Sequence, residues 1–406
     1  MPFQIALSGL NSANSDLNIT ANNIANVNTT GFKRSRGNFV ELFATGLQSV
    51  SSQANGLGAR LASIQQEFSQ GSINFTESNL DMAVTGDGFF VLSDQGALSY
   101  SRAGAFQIDR EGFIVNAANK RLQVFPPVGD SNENFNTGGL QDLQLTTADF
   151  APRASGEVDI SLNLPADAEP PVVTPFDPTD PSSFNQSTSL TVFDSLGRAH
   201  TATYFFIKTA NDNEWDVTLQ INGTDAGTQQ LQFDTSGALT TPAAPGELTF
   251  NPVTIDAQAQ DITLTTNFSN ATQFGGAFAV SELFQNGFSS GRLTGIDISD
   301  SGIVFARFTN GQSNALGKVA LATFANNQGL SNLGDTEFGE TFDSGDARIG
   351  EPGTSSFGLI QSGALEASNV NLTAELVNMI TAQRNFQANA QMISTADTIA
   401  QTIINI

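Results

Sequence analysis

The chain contains no cysteine and only one histidine, His200, in 406 residues. Without cysteine there can be no disulfide, thiolate zinc site, iron–sulfur cluster or cysteine nucleophile, and one histidine leaves most hydrolase and metalloenzyme chemistry without its usual groups. Cysteine usage does not fix the compartment, because a secreted chain can equally lack it. Bases are scarce: 16 Lys and Arg face 40 Asp and Glu, for a formal charge of −24. Nucleic acid and anionic membrane surfaces are therefore excluded as partners. No stretch approaches eighteen consecutive apolar residues, so no membrane-spanning helix is expected. Residues 1–20 show no basic n-region, continuous apolar h-region or small-residue cleavage pattern, so a Sec-type signal peptide is not expected.

The chain is long enough for two to three domains. Its charge is unevenly placed. Residues 1–75 hold three acids and four bases, and residues 360–406 hold Glu366, Glu375 and Asp397 against Arg384. Almost the whole negative excess thus lies in residues 76–359. Near-neutral ends with an anionic middle suit a molecule whose ends are buried against copies of itself while its middle faces water.

Both ends read as helices with a seven-residue beat. Phe3, Ala6, Leu10, Ala13, Leu17, Thr20, Ile24 and Val27 alternate spacings of three and four; Leu365, Leu372, Met379, Phe386, Ile393 and Ala400 recur every seventh residue. Two such stripes can pair with each other, or each can pack on a globular core. Asn14, Asn18, Asn22 and Asn23 lie inside the first stripe, and together they cost roughly 2 to 3 kcal/mol relative to Ala in a helix. This helix is therefore expected to order only against a partner.

After Gly31 the pattern changes to strands and turns. Residues 71–126 carry short apolar alternations punctuated by Gly86, Gly88, Gly96, Gly104 and Gly112, which reads as consecutive hairpins. From Glu214 to Asn222, Trp215, Val217, Leu219 and Ile221 alternate with Asp216, Thr218 and Gln220, predicting a strand with one face in water. Prolines cluster from Pro165 to Pro181 and predict a surface linker or long loop. The fold class expected is mainly β middle domains between α-helical termini that form a coiled-coil-like segment, with nested, discontinuous domains. The boundaries read as residues 1–30 with 360–406, an extended linker 31–70, an inner β domain 71–149 with 286–359, and an inserted outer β domain 150–285.

No catalytic constellation is present. Gly86-Asp87-Gly88 lacks the third glycine and the following helix of a dinucleotide fingerprint, and reads as a hairpin turn. Asp194, Ser195 and His200 are neighbours in sequence, but turn residues often coincide in this way, and a structural role is the expectation. Asp167, Glu169, Asp177 and Asp180 read as a solvated acidic loop, with Ca²⁺ as the alternative, although the spacing of a calcium-binding loop is missing. Lys33, Arg34 and Arg36, the only basic cluster, read as a solvated turn. No enzyme, cofactor or metal is expected.

Ser8-Gly9-Leu10 followed by Ala21-Asn22-Asn23-Ile24-Ala25-Asn26-Val27-Asn28-Thr29-Thr30-Gly31-Phe32-Lys33 resembles the N-terminal signature of the bacterial flagellar rod and hook protein family. The runs Gly363 to Leu372 and Met379 to Asn389 resemble its C-terminal signature, and Leu80 to Phe90 its shared β region. Rod-type members are shorter and lack an inserted domain, whereas Phe193 to Gly197 with His200, Tyr204 to Phe206 and Trp215 resembles the outer domain of the longer members. Phe324-Ala325-Asn326-Asn327-Gln328-Gly329-Leu330 resembles their later inner-domain segment.

The resemblance implies a structural subunit that polymerises into a short curved tube, a universal joint carrying motor torque to the filament; a distal rod or hook–filament junction protein is the alternative. Implied partners are the chain itself, the distal rod, the hook cap and junction proteins, and the flagellar type III export apparatus. The implied location is the basal body and hook, outside the cell after export. Assembly would rest on Leu10, Leu17, Ile24 and Val27 with Leu365, Leu372, Met379, Phe386 and Ile393. The family's export-gate pattern, two aromatics flanking three residues, is similar to Phe39-Val40-Glu41-Leu42-Phe43.

Overall fold

In the computed structural model, which describes residues 2–42, 56–129, 134–145, 148–354 and 356–404, one long helix stands at each end and the remainder is β. Helix α1 spans Pro2–Ala25 and α2 spans Leu372–Ile404. The chain divides into two compact units: Met1–Thr147 with Gly295–Arg307 and Ser313–Ile406, and Ala148–Thr294 with Phe308–Gln312.

The seven-residue beat overran both helices. Helix α1 stops at Ala25, and Val27 lies in the turn that follows. There Asn26 bonds back to Asn22 through backbone and side chain, which ends the helix with a polar knot. Leu365 is not helical. It sits in the strand Ala364–Glu366, paired with Ile73–Phe75, and the helix starts only after Asn371, whose side chain caps the Ala374 amide at 3.1 Å. The stretch 31–70 contains more than a linker, since β1 (Ser35–Glu41) and β2 (Ala59–Gln66) pair antiparallel.

In the first unit, the strand Phe89–Asp94 lies between Ala97–Ser101 and Arg121–Phe125. Its alternate residues enter different cores: Phe90 and Leu92 join Leu122, Val124 and Val304, while Phe89 and Val91 join Tyr100, Phe125 and Phe338. Both faces of this sheet are therefore covered. Gly86 and Gly88, with φ of 103° and 134°, do not close a hairpin. Met82–Thr85 pairs with Leu359–Ser362 rather than with Phe89–Asp94, so the glycines turn a corner between two sheets.

The second unit is a sandwich. Five sequential antiparallel strands, Gln186–Phe193, Ala199–Lys208, Glu214–Ile221, Thr224–Phe233 and Leu239–Thr241, form one sheet. The other is built around Glu157–Pro165, which pairs with Thr265–Asn267, Thr272–Phe274 and Ala279–Gln285. Val158, Ile160, Leu162 and Leu164 from the second sheet meet Tyr204, Phe206, Trp215, Val217 and Leu219 from the first in one core.

The expectation that Thr218 and Gln220 face water is overturned, because both are buried. Thr218 sits opposite Phe205 on the sheet's other face. That face is covered: Phe205 packs against Phe176 and Phe184 of the proline-rich segment, with ring centroids 5.1 and 4.9 Å apart. The segment is thus a lid on the sheet, and the prolines lower the entropy lost in ordering it. Replacing Phe205 by Ala should cost about 3 kcal/mol and free residues 166–185 for cleavage, read as a lower denaturant midpoint and faster proteolysis there. Unchanged proteolysis would mean that the aromatic cluster does not hold the lid.

Candidate assembly site

The two terminal helices pack against each other in antiparallel fashion. Near one end of the pair, Phe3 shares a cleft with Ile393, Ala396 and Ala400; near the other, Asn23 donates to Glu375 Oε2 at 3.3 Å. The seam is built from small side chains, with Ala6, Ala13 and Ala382 buried. A Cβ at Gly9 would lie 2.5 Å from Asn389 Oδ1, so a larger residue there would have to push the Asn389 side chain aside. The other side of α1 packs on the β1–β2 hairpin, where Ser12 Oγ donates to the Ala59 carbonyl and Ile19 abuts Gly37.

The residues expected to carry assembly separate into groups. Leu10, Leu17, Ile24, Met379, Phe386 and Ile393 are half-buried within the chain itself. Leu372 is exposed, while Val27 and Leu365 lie off the helices. A second row of apolar side chains on α2 that the heptad count did not select, Leu376, Val377 and Ile380, is exposed at 44, 59 and 50%. Phe39 is exposed on β1, and Phe43 lies outside the described residues.

Below the helix pair lies a cluster of ions. The basic run is not a solvated turn, since Lys33 is buried with its Nζ 2.6 Å from Glu366 Oε1 and 2.9 Å from the Ser69 carbonyl. The same Oε1 accepts the Gly71 amide at 2.8 Å, and the Glu366 backbone carbonyl accepts the Gly31 amide at 2.8 Å. Arg102, also buried, reaches Glu366 Oε2 at 3.4 Å and stacks over Phe89. Burial pushes both cations below their ordinary values, and Glu366 opposes that shift. Gly31 has φ +69°, and a Cβ there would lie 2.4 Å from the Ala103 nitrogen, so this position requires glycine twice over.

One turn further along, Arg34 Nε meets Glu375 Oε1 at 2.7 Å in the first turn of α2, where a carboxylate also suits the helix dipole. Arg34 also pairs with Glu67 at 3.2 Å. Against the opposing effect of burial, Glu375 and then Glu67 hold its guanidinium above the ordinary value. Asn23 exchanges two hydrogen bonds with Ser35, and Asn369 accepts the Arg34 amide while donating to the Glu67 carbonyl. The asparagines that weaken α1 as a helix thus include one spent on fixing its exit.

Sequence reasoning missed Glu366, Glu375, Asn369 and Arg102. The available signal was scarcity: where an end carries so few charges, each opposite pair is a candidate for mutual burial.

Elsewhere, His200 Nε2 lies 3.2 Å from Asp194 Oδ2, and its Nδ1 meets Asn222 Nδ2 at 2.8 Å. Ser195 Oγ instead accepts the Gln260 amide, and Asp194 Oδ1 accepts the amides of Leu196 and Arg198, so the three residues brace a turn. Among the described residues no three His, Asp or Glu side chains converge as a metal site.

Two outcomes follow from the ion cluster and the helix pair. Glu366→Gln should cost about 3 to 5 kcal/mol by leaving Lys33 and Arg102 without a counter-charge, and Lys33→Met in the same chain should recover part of that loss, as measured by denaturant midpoints. Asp16 of α1 is pushed above its ordinary 3.8 by burial and then by Glu375. A carboxyl raised in the folded state favours folding when protonated, so its contribution falls as pH climbs from 3.8 through the raised value. Asp16→Asn should therefore raise the melting temperature at neutral pH and make no difference well below pH 3.8; equal melting at pH 7 would refute this.

Four family models match this chain: Flagella basal body rod protein over residues 3–33, Flagellar hook protein FlgE/F/G D1 domain over 83–170, Flagellar basal body protein FlaE D2 domain over 163–288, and Flagellar basal body rod FlgEFG protein C-terminal over 361–406. Flagellar hook protein FlgE of Escherichia coli is 37% identical, with the whole of both chains covered. The protein of the same name from Borreliella burgdorferi is 32% identical over 98% of each chain. A crystal structure of Helicobacter pylori flagellar hook protein FlgE2 superposes with a TM-score of 0.54 at 15% identity, covering 72% of this chain and all of that one, which is a likeness of fold. With end-to-end similarity at this level of identity, the chain belongs to the flagellar hook protein family.

Proposed function

We propose that the paired terminal helices are the element through which this chain, a structural subunit of the bacterial flagellar hook, polymerises with copies of itself. The observation that carries this reading is the apolar row left over once α1 and α2 have packed. Leu372, Leu376, Val377 and Ile380 form this row on α2, and at the other end of the antiparallel pair Phe3, Ile5 and Leu7 of α1 also remain in water in a single chain. A row of this kind on a helix that is already partnered marks a surface awaiting another molecule. Neighbouring copies supply such a surface at every repeat, through interfaces that do not close into a ring.

In this reading residues 1–30 with 360–406 hold the polymer as its inner tube, 71–149 with 286–359 form the inner of two β domains stacked outside it, and 150–285 tune its curvature. Support for treating the last as an insertion comes from its ends, which are paired: Phe150 and Gly291 exchange backbone hydrogen bonds at 2.7 and 3.2 Å, as Arg153 and Phe288 do at 3.1 and 3.0 Å. The distal rod, hook cap and junction proteins would meet the polymer at its ends, and the export apparatus would deliver the subunit.

Leu376→Asp tests the proposal more cleanly than a change in the half-buried seam, because Leu376 is already in water in the single chain. The variant should keep its circular dichroism and melting temperature yet form no tubes under electron microscopy, since each contact would bury an unpaired carboxylate. Gln387→Asp, on an exposed polar position of the same helix, should assemble. Equal assembly of the two variants would move the polymer contact off this row.

A further inference from the structure

Phe342 is fully exposed, at 101% of its reference surface. An aromatic ring in water is commonplace on a loose loop, but this loop is tightly built. Thr341 Oγ1 donates to the Gly329 carbonyl at 2.5 Å and accepts the Asp343 amide at 3.2 Å. Ser344, wholly buried, accepts the Thr341 amide on its Oγ at 2.9 Å and donates back to the Thr341 carbonyl at 2.8 Å. From below, Asn326 donates its side chain to the Asp343 carbonyl at 3.0 Å and its backbone amide to the Ser344 carbonyl at 3.2 Å. Gly329 lies so close beneath that a Cβ would be 2.4 Å from the Asp343 carbonyl carbon. Asn326 and Gly329 of the Phe324 to Leu330 motif thus help hold one phenyl ring out into solvent.

The same unit offers a place for such a ring. A cleft of about 530 Å³ is lined by Phe32, Ala117, Ala118 and Phe338 among polar side chains that include Thr29, Asn116 and Thr336. Phe338 and Phe342 are four residues apart, so cleft and ring lie within about 15 Å along the chain, and yet the ring does not enter. The ring's neighbours Glu340, Asp343 and Asp346 would be repelled by most of this acidic surface. Among the described residues lining the cleft only Lys33 and Asp335 carry charge, and they are of opposite sign, so it does not repel the ring's acidic neighbours.

We propose that Phe342 is a knob that inserts into the Phe32–Ala118–Phe338 cleft of a second copy of this chain. The inference rests on the chain polymerising with itself and adds a contact distinct from the terminal helices. Knob and cleft are different patches on one molecule, and between copies related by the rotation and rise of a tube the contact runs head-to-tail and propagates. A rigid aromatic anchor loses little entropy when it docks, and an aromatic in a desolvated pocket is the usual centre of an interface.

The absence of native cysteine makes the test direct. Phe342→Cys combined with Ala118→Cys, assembled and treated with a short bis-maleimide, should give a ladder of covalent oligomers; either single variant, or unassembled double variant, should not. Phe342→Asp should raise the concentration needed for polymerisation at least tenfold, and Phe342→Leu should raise it less. Protection of the Phe342→Cys thiol in tubes without a ladder would refute the cleft as receptor. Labelling at the monomer's rate, or normal assembly of Phe342→Asp, would refute the knob itself. Tubes from the unaltered chain in those cases leave self-assembly standing, whereas an unaltered chain that never polymerises removes both readings.

Discussion

The carboxylate of Glu366 is the point on which the chain closes. It takes Lys33 on one oxygen and Arg102 on the other, with Gly71 bound beside Lys33, while its own carbonyl holds Gly31. The partners come from the start of the sequence and from its first β segment, and Glu366 itself from just before the last helix, so one buried anion ties together where α1 leaves, where β1 begins and where α2 starts. A buried ion pair adds little net stability compared with an apolar substitute, but breaking one side of it is expensive. Its value here is in specifying a single arrangement of three chain segments that hydrophobic packing alone could slide past one another.

The sequence could be read wherever one physical signal acted alone. The α1–α2 stripe was visible because small and apolar residues recur at helical spacing with little charge between them. The sandwich strands were visible through alternation, as at Trp215, Val217 and Leu219. Legibility failed where a second element changed what a residue faced. Thr218 reads as solvent-facing until the proline-rich segment is laid over it, and nothing local records that. Leu365 fits the heptad beat by number, but its strand pairing with residues 73–75 is a long-range fact. Lys33 reads as exposed because its counter-ion is 333 residues away.

The distribution of charge now has a structural meaning. Several of the few ions at the ends are consumed internally, Glu366 and Glu375 pairing with Lys33, Arg34 and, from the middle segment, Arg102, which leaves little charge on the helix surfaces. The negative excess lies in the β units, where like charge disfavours non-specific association.

The separation of Lys33 from Glu366 also sets an order of events. Closing a flexible loop of that length costs about 5 kcal/mol in chain entropy, and it cannot be attempted until nearly the whole chain is present. Pairings within residues 148–294 are shorter-range, whereas Phe89–Asp94 and Met82–Thr85 wait for their partners Leu321–Thr323 and Leu359–Ser362. In a chain delivered N-terminus first, whether from a ribosome or through a narrow pore, α1 therefore waits for the last thirty-odd residues before it can dock. Sequence order thus serves as a clock, and the paired-helix surface is completed only once the C-terminal helix has emerged.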